Sequence, residues 1–440
     1  MARIVVVGGG VAGLAVAYEL SGQDVTVLEA GARAGGTIRS ERVEGYLCES
    51  GPVGFTDEAA PTLALCERLA LLPRLTGARR EAESRFVVRE GRPRRLPSHP
   101  LAFLASDALS LRGRLRVLAE PLVRRREDRA DESIARFARR RLGQEAAEVL
   151  VDALVTGIWA GDPDALSVGS ALPTLARWER DHGGLLRGAL ARRERRGRLA
   201  SFPSGLSELP EAIASALGSR LRLESPAVGV ERRGRAGFDV LLARGAAIEA
   251  DAVVVACPSF AAAPLLAGLD AELSRLAASI PWAAVAVVHL GFDGPALSRL
   301  RGFGILAPRR ESASALGALV PSNIFPSRAP QGHALVTVML GGARDPEAVH
   351  RSDAALIDSA ASALGSWTGG LPPAVFAKVV RHPRAIPQYT LGHAERLSAI
   401  EERVRRAPGL VLTGSSYRGI SVNACIADAT AVAASLLTAP

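Results

Sequence analysis

The chain is almost without lysine: Lys378 is the only one in 440 residues, and arginine carries nearly all the positive charge behind a net of +9. Cysteine is scarce as well. Cys48, Cys66, Cys257 and Cys425 form no C-x-x-C pair and have no histidine cluster beside them, which excludes the usual zinc spacings and argues against disulfides. They are expected as small buried hydrophobes in a reducing compartment. No run of 18 or more apolar residues is free of charge, proline and glycine, so no membrane-spanning helix is expected; the run at 279–292 is short and contains Pro281 and His289. No export signal is read ahead of Ile4. Long polar tracts and internal repeats are missing too, which excludes disordered and solenoid architectures.

With 48% apolar residues the chain is long enough for two or three domains of roughly 100–200 residues each. Its charge is unevenly placed. Between Arg85 and Arg198 there are 24 arginines against 15 Asp and Glu, an excess of nine that equals the net charge of the whole chain. Such a segment suits anionic lipid, nucleic acid or an acidic substrate. No nucleic-acid recognition motif accompanies it, and nucleic acid is not expected as a partner.

A β-branched strand at 3–8, a helix at 10–21 and an alternating strand at 24–30 open the chain. A helix is expected over 57–72, stopped by Pro73, and helices over 101–199, where "DESIARF" offers Asp131 or Ser133 as an N-cap. Strands return at 220–233, 237–245 and 250–258, and a second strand-rich region covers about 282–342. A strand, a glycine-rich turn and a long helix close the chain. This order suggests a discontinuous dinucleotide domain with other domains inserted into it.

Gly8, Gly10 and Gly13 form G-x-G-x-x-G between the first strand and its helix. The first permits a tight turn, the second lets backbone approach a pyrophosphate, and the third lets helix and strand pack closely. Glu29 ends the second strand and can accept from ribose hydroxyls. "ARAGG" then places Arg33, Gly35 and Gly36 just past the acid. A second glycine pair there suits a resident FAD and is not generally needed by a nicotinamide that comes and goes. "LVLTGSSYRGISVNACI" resembles the late element of flavoproteins, where a strand, a glycine and a helix start meet the flavin, and N–H groups at that helix start would favour negative charge on a reduced flavin.

Taken together, "VVGGGVAGL", "ARAGGTIRS", "ESGPVGF", "SRFVVREGRPRRLP", "TGIWAGDPDALSV", "SFPSGLSELPEAI", "GFGILAP", "TVMLGGARDP", "AIPQYTLGH" and "GSSYRGISVNACI" carry a resemblance over essentially the whole chain. It resembles the oxygen-dependent, FAD-containing protoporphyrinogen oxidase family, within the amine-oxidase-like flavoproteins. The resemblance implies an α/β fold. A discontinuous Rossmann-like FAD-binding domain would cover 1–73, 200–232 and 401–440, an α+β substrate domain 74–85 and 233–400, and an inserted helical, membrane-facing domain 86–199. It implies that Gly8, Gly9, Gly10, Val11, Ala12 and Gly13 hold the pyrophosphate, Glu29 and Ala30 the adenosine ribose, and that Arg33, Gly36 and Thr37 lie along the dinucleotide. Gly51, Pro52, Val53 and Gly54 would run beside the flavin ring, Val228 would read adenine through its backbone, and Ile420, Ser421 and Val422 would meet the pyrimidine end. His382 stands where some relatives carry an aromatic beside the flavin. "GPVGF" departs from the family's G-P-N-S-F, so Val53 and Gly54 contribute only shape and backbone; Ser204 stands where relatives often have glycine.

The implied reaction takes protoporphyrinogen IX to protoporphyrin IX, the penultimate step of haem synthesis. It uses three hydride transfers to FAD, with O2 as acceptor and hydrogen peroxide as by-product. Arg85 would pair with a propionate, for which an arginine fork is suited; otherwise it is one more surface arginine. Leu306 and Met339 would clamp the rings from above and below, with Phe303 lining the same slot; otherwise they are strand core. Ala160 and Gly161 would form a tight turn at the pocket, or simply a helix C-cap. His289, His333 and His393 are candidate bases by residue type only, and packing is the expected role of His393. No catalytic side chain and no metal is assigned, because hydride transfer needs positioning more than proton transfer.

The helical segment would sit on a membrane through Leu101, Phe103 and Leu104 between basic clusters, or else be a soluble helical domain. A cytoplasmic protein at the inner face of the cell membrane, a homodimer and hand-off to ferrochelatase are further implications. The alternatives are oxidation of coproporphyrinogen III to coproporphyrin III, an amine oxidase or carotenoid desaturase, and a flavin-binding scaffold without turnover. The four tryptophans do not cluster near the flavin motifs as an amine oxidase's aromatic cage would.

Overall fold

The computed structural model describes residues 2–96, 106–128, 130–191, 197–234, 237–293, 302–311 and 315–438. The β-branched run Arg3–Val7 becomes the central strand of a five-stranded parallel sheet. Its order is Leu221–Arg222, Asp24–Leu28, Arg3–Val7, Ala252–Val255 and Leu410–Leu412. Alternation divides the strand between two cores. Ile4 and Val6 pack with Leu14 and Val16 of helix Val11–Glu19 and with Ile426 and Ala429 of helix Val422–Thr438. Val5 and Val7 pack on the opposite side, beneath the antiparallel sheet Ala227–Arg232, Phe238–Leu242 and Ile248–Ala250. Burial on both faces is the normal condition of parallel strands and explains the unbroken valine run.

Several expectations shift. The segment 220–233 is not one strand: Leu221–Arg222 and Ala227–Arg232 belong to different sheets, and Glu224, with φ of +49°, and Pro226 break the path between them. The helix expected over 57–72 is shorter, Ala60–Arg68, and Pro73 sits inside a separate 3-10 turn, Leu72–Arg74. Ser133, not Asp131, caps the helix Ile134–Leu142 by accepting from the Arg136 N–H. Asp131 instead accepts from Ser167 Oγ and the Gly392 N–H. Ala252–Val255, inside 233–400, pairs in parallel with Arg3–Val7, so the first sheet draws on that segment too.

The largest sheet has seven strands, in the order Phe376–Pro387, Trp282–Asp293, His333–Gly341, Ala315–Leu319, Gly304–Leu306, Arg85–Arg89 and Arg92–Arg95. The last two strands lie at and beyond the boundary expected at residue 85. Val288, Val338, Ala318 and Ile305 face helix Asp353–Thr368 and its Leu356, Ala360, Leu364 and Trp367. The opposite face carries Val287, Met339, Gly317 and Leu306 in register, and it is this face that matters below.

The arginine-rich segment forms helices Leu111–Leu118, Ile134–Leu142, Pro173–His182 and Leu185–Ala191, with a π-helical turn Ala147–Val151 running into helix Asp152–Trp159. Part of its charge is turned inward. Arg141 is fully buried and its Nε donates to Glu120 Oε1 at 2.7 Å. Arg140 bridges Glu179 at 2.6 Å and Glu132 at 2.8 Å. Leaving one partner of such a buried pair alone costs about 3–5 kcal/mol. Leu101, Phe103 and Leu104 lie outside the described residues. Leu111, Leu115, Leu118, Leu122 and Leu190 are exposed. Among the described residues, no helix is long and apolar enough to cross a membrane.

Candidate functional site

The loop after the first strand is shaped by missing side chains. Gly8 has φ of +112°, and a Cβ there would lie 2.8 Å from the Cys257 backbone nitrogen. A Cβ on Gly13 would run into the Gly8 carbonyl oxygen. Both glycines are demanded by the protein's own packing. Gly10 differs: no protein atom lies within 4 Å of its Cβ position, and it stands at the N-terminus of helix Val11–Glu19 with no side-chain cap. Open space against unfilled helix N–H groups fits a pyrophosphate. Gly36 closes from the other side, its Cβ position 3.3 Å from the Gly10 Cα, and the Gly35 N–H donates to the Gly9 carbonyl at 2.7 Å. Val11 and Ala12 form the first helical turn above this loop.

Glu29 stands beside it. Its carboxylate accepts from the Gly9 N–H and the Gly31 N–H, each at 2.7 Å. The Ser225 N–H donates to the Glu29 carbonyl, which ties the acid and neighbouring Ala30 to the start of strand Ala227–Arg232. A β-bulge between Ala227 and Gly229 leaves Val228 opposite no residue of the partner strand, and Val228 is half exposed. The Arg33 guanidinium turns onto its own loop instead, donating to the carbonyls of Ala34, Gly36 and Ile38. These bonds set the shape of the loop that carries Gly36 and Thr37.

A second set of residues gathers at the end of the last helix. Gly51 packs against the Thr37 carbonyl and Gly54 against the Ala200 carbonyl, with Pro52 and Val53 half-buried between them. His382 hydrogen-bonds the Ser50 carbonyl at 2.7 Å, which fastens the seven-stranded sheet to this segment. Ser421 precedes helix Val422–Thr438 and its Oγ accepts from the Ala424 N–H. Val422 is buried against the first helix, and Ile420 packs beside Trp159 and Tyr389. Tyr389 holds the approach: its hydroxyl donates to the Ser415 carbonyl and accepts from the Gly419 N–H, both at 2.7 Å.

The remaining candidates gather on the face of the large sheet that helix Asp152–Trp159 approaches through Gly157. Leu306 lies opposite Gly317, and Gly317 opposite Met339, so the three form one row across three strands. They are not opposing jaws above and below a ligand, as expected, but neighbours on a single face, with Leu306 Cδ2 3.5 Å from the Cβ position of Gly317. Two strand spacings, about 9.6 Å, separate their backbones. Val87 is the register partner of Leu306 on the next strand, and Arg85, two residues earlier, shares that face. The Arg85 guanidinium lies over the Phe303 ring at 5.0 Å. Ala160 ends helix Asp152–Trp159 in the left-handed region, φ +48°, and packs in the same cluster as Met339. Gly161 faces away from that cluster: its Cβ position is filled by Gln388 Oε1 and Leu166.

The histidines are poorly placed for proton transfer. His289 is buried among sheet residues with Nδ1 on Thr337 Oγ1, and burial pushes its pKa down to about 4. His393 stacks on Tyr389 at 4.0 Å, contacts the Tyr417 carbonyl, and is likewise pushed down to about 4 by burial. His333 bonds Tyr46 at the far end of its strand. All four cysteines are free.

Gly157 and Gly317 were missed in the sequence. A Cβ on Gly157 would lie 2.5 Å from Leu306 Cδ2, and one on Gly317 would lie 2.6 Å from the Ile305 carbonyl. A glycine in a helix interior and one in a strand interior each signal close approach, and that signal was available.

Comparison with known proteins gives the family. The chain is similar to protoporphyrinogen oxidase of Homo sapiens, 34% identical over 477 residues that cover 99% of this chain and 98% of that protein. It is also similar to coproporphyrinogen III oxidase of Bacillus subtilis, 28% identical over 464 residues, with 99% and 98% covered. The crystal structure of a protein described as a protoporphyrinogen oxidase from Exiguobacterium superposes with a TM-score of 0.86 at 26% identity, covering 99% of this chain and 98% of that one. The family profile described as "Flavin containing amine oxidoreductase" matches residues 11–437. The chain therefore belongs to the flavin-containing amine oxidoreductase family, and its cofactor is FAD.

Proposed function

We propose that this flavoenzyme oxidises a porphyrinogen, and specifically protoporphyrinogen IX to protoporphyrin IX. Loss of six hydrogens from the substrate balances reduction of three O2 to three hydrogen peroxide. Bound FAD supplies the hydride acceptor. The observation that carries this reading is the row Leu306–Gly317–Met339 with Arg85 on the same sheet face. With no side chain at Gly317, Leu306 and Met339 offer apolar side chains on one sheet face to a flat ring. Arg85, held flat by Phe303, offers its fork to a propionate at one end. Backbone N–H groups from Ser421 onward favour negative charge at the pyrimidine end of the flavin. With His289 and His393 neutral at physiological pH and engaged elsewhere, the chain's part is orientation and exclusion of water.

Coproporphyrinogen III is the second reading, because the Bacillus subtilis relative of that name matches end to end. Arg89 and Arg94 share that sheet face by alternation and register but pair with Glu145 and Asp107, so Arg85 suits two propionates at one side better than four carboxylates around the ring. Porphyrin fluorescence formed from each porphyrinogen under oxygen decides between them: a higher kcat/KM for protoporphyrinogen supports the proposal, and a clear preference for coproporphyrinogen overturns it. We also propose that the exposed Leu111, Leu115, Leu118, Leu122 and Leu190, with Arg112, Arg124 and Arg187 around them, rest on an anionic membrane surface. Flotation with anionic but not neutral vesicles tests it.

A further inference from the structure

Behind the slot lies a buried polar junction that none of the reading above uses. Asp152 opens helix Asp152–Trp159, which carries Gly157, and is 6% exposed. Arg344 follows the Met339 strand, and its side chain is 3% exposed. Arg344 Nη2 donates to Asp152 Oδ2 at 3.1 Å and to Thr156 Oγ1 at 2.6 Å, and Nη1 reaches the Ala315 carbonyl at 3.5 Å. The Arg309 N–H donates to the same Asp152 Oδ2 at 2.5 Å, just beyond the Leu306 strand. One ion pair thus touches all four elements around the slot: the Gly157 helix, the tip after Leu306, the Gly317 strand and the turn after Met339.

We propose that Asp152 and Arg344 are positioning residues that fix the width of the slot and thereby set porphyrinogen affinity. This rests on the slot being the tetrapyrrole site. Gly157 packs directly on Leu306, so a shift of the helix is passed to the Leu306 side chain. On the far side there is slack. A cavity of about 250 Å³, lined in part by Arg139, Glu148, Asp152, Arg309 and Arg310, adjoins the junction, and the tip can swing into it once the link is cut. A flat ring held between two side chains is sensitive to small changes in their separation, because dispersion contacts fade within an ångström.

The test compares Thr156→Val, Arg344→Gln, Asp152→Asn and the double Asp152→Asn/Arg344→Gln as purified holoenzymes. The readouts are KM and kcat for protoporphyrinogen, the Kd for protoporphyrin from quenching of flavin fluorescence, and FAD content. Thr156→Val keeps volume and removes one hydrogen bond to a charged group, so it carries the test even where a charge-removing single fails to fold. The expected result is a rise in KM and Kd of about tenfold in Thr156→Val and Arg344→Gln, with kcat and FAD content little changed. The double variant should regain part of the affinity, since no buried charge is left alone. Unchanged KM and Kd, or a fall in kcat and melting temperature without them, would mean that the pair only stabilises the fold. A wild-type protein that fails to oxidise porphyrinogen contradicts the assigned reaction, whereas an active wild type with indifferent variants contradicts only the positioning role.

Discussion

In the dinucleotide crevice, room for a ligand is made by the missing Cβ of Gly10, on a loop whose path Gly8, Gly13, Gly35 and Gly36 permit. In the proposed slot, the walls come from separated elements that carry Arg85, Gly157, Leu306, Gly317 and Met339. The first depends on backbone conformation and local packing. The second depends on the register of strands far apart in sequence and on a buried ion pair that holds a helix against them. A cofactor that stays through turnover is held by the rigid part. In the proposed reading, a substrate that must enter and leave is held by the part whose walls come from separate elements.

The largest effect should come from Gly13→Val, whose Cβ would strike the Gly8 carbonyl. Overpacking against backbone here costs about 3 kcal/mol or more, and the protein should melt far below the wild type and purify without FAD. Gly10→Ala is the contrast: the melt of the apoprotein should be unchanged while FAD affinity falls, because only the ligand occupies that space. Equal melting losses for both would erase the distinction between glycines the protein needs and the one the ligand needs.

Gly157→Val should do the reverse of Gly10→Ala. FAD content stays at one per chain, while crowding of Leu306, about 2 kcal/mol, lowers kcat/KM for porphyrinogen by roughly thirtyfold. Arg85→Ala is smaller: loss of a charge-assisted hydrogen bond, about 1.5 kcal/mol, raises KM about tenfold with kcat unchanged, and Arg85→Lys recovers part of it. A fall in kcat alone would place Arg85 away from the propionate.

The smallest effect is on stability against pH. His289 and His393 both have pKa values lowered to about 4 by burial. Between about 6.5 and 4 the unfolded chain binds protons that the folded one refuses, so stability is full above the unfolded pKa and falls as pH drops. The loss should be on the order of 1 kcal/mol per histidine near pH 5.5. His393→Gln should flatten the melting temperature between pH 7 and 5 and, since His393 stacks on the Tyr389 that ties down Gly419, should loosen FAD more than His289→Gln does.

The parallel sheet and its crevice were legible because their determinants are local: a valine run, three glycines and an acid at fixed spacing. Segment 220–233 was misread because a turn at Glu224 and Pro226 sends two apolar patterns into different sheets. The slot's named residues came from resemblance, and their arrangement as one row could not be read from spacing, since register between strands of residues 304–306, 315–319 and 333–341 is a tertiary outcome. Gly157 and Gly317 were passed over for the same reason: a glycine announces that something comes close, not what. The inward arginines of the helical segment, Arg140 and Arg141, look in sequence like the solvated ones beside them, and only their buried carboxylate partners set them apart.

The most direct measurement is anaerobic addition of protoporphyrinogen IX to the purified yellow protein, followed by admission of oxygen. The account predicts that the flavin absorbance bleaches, that porphyrin fluorescence appears in proportion, and that oxygen restores the oxidised flavin. Flavin that stays oxidised in the presence of excess porphyrinogen would contradict it.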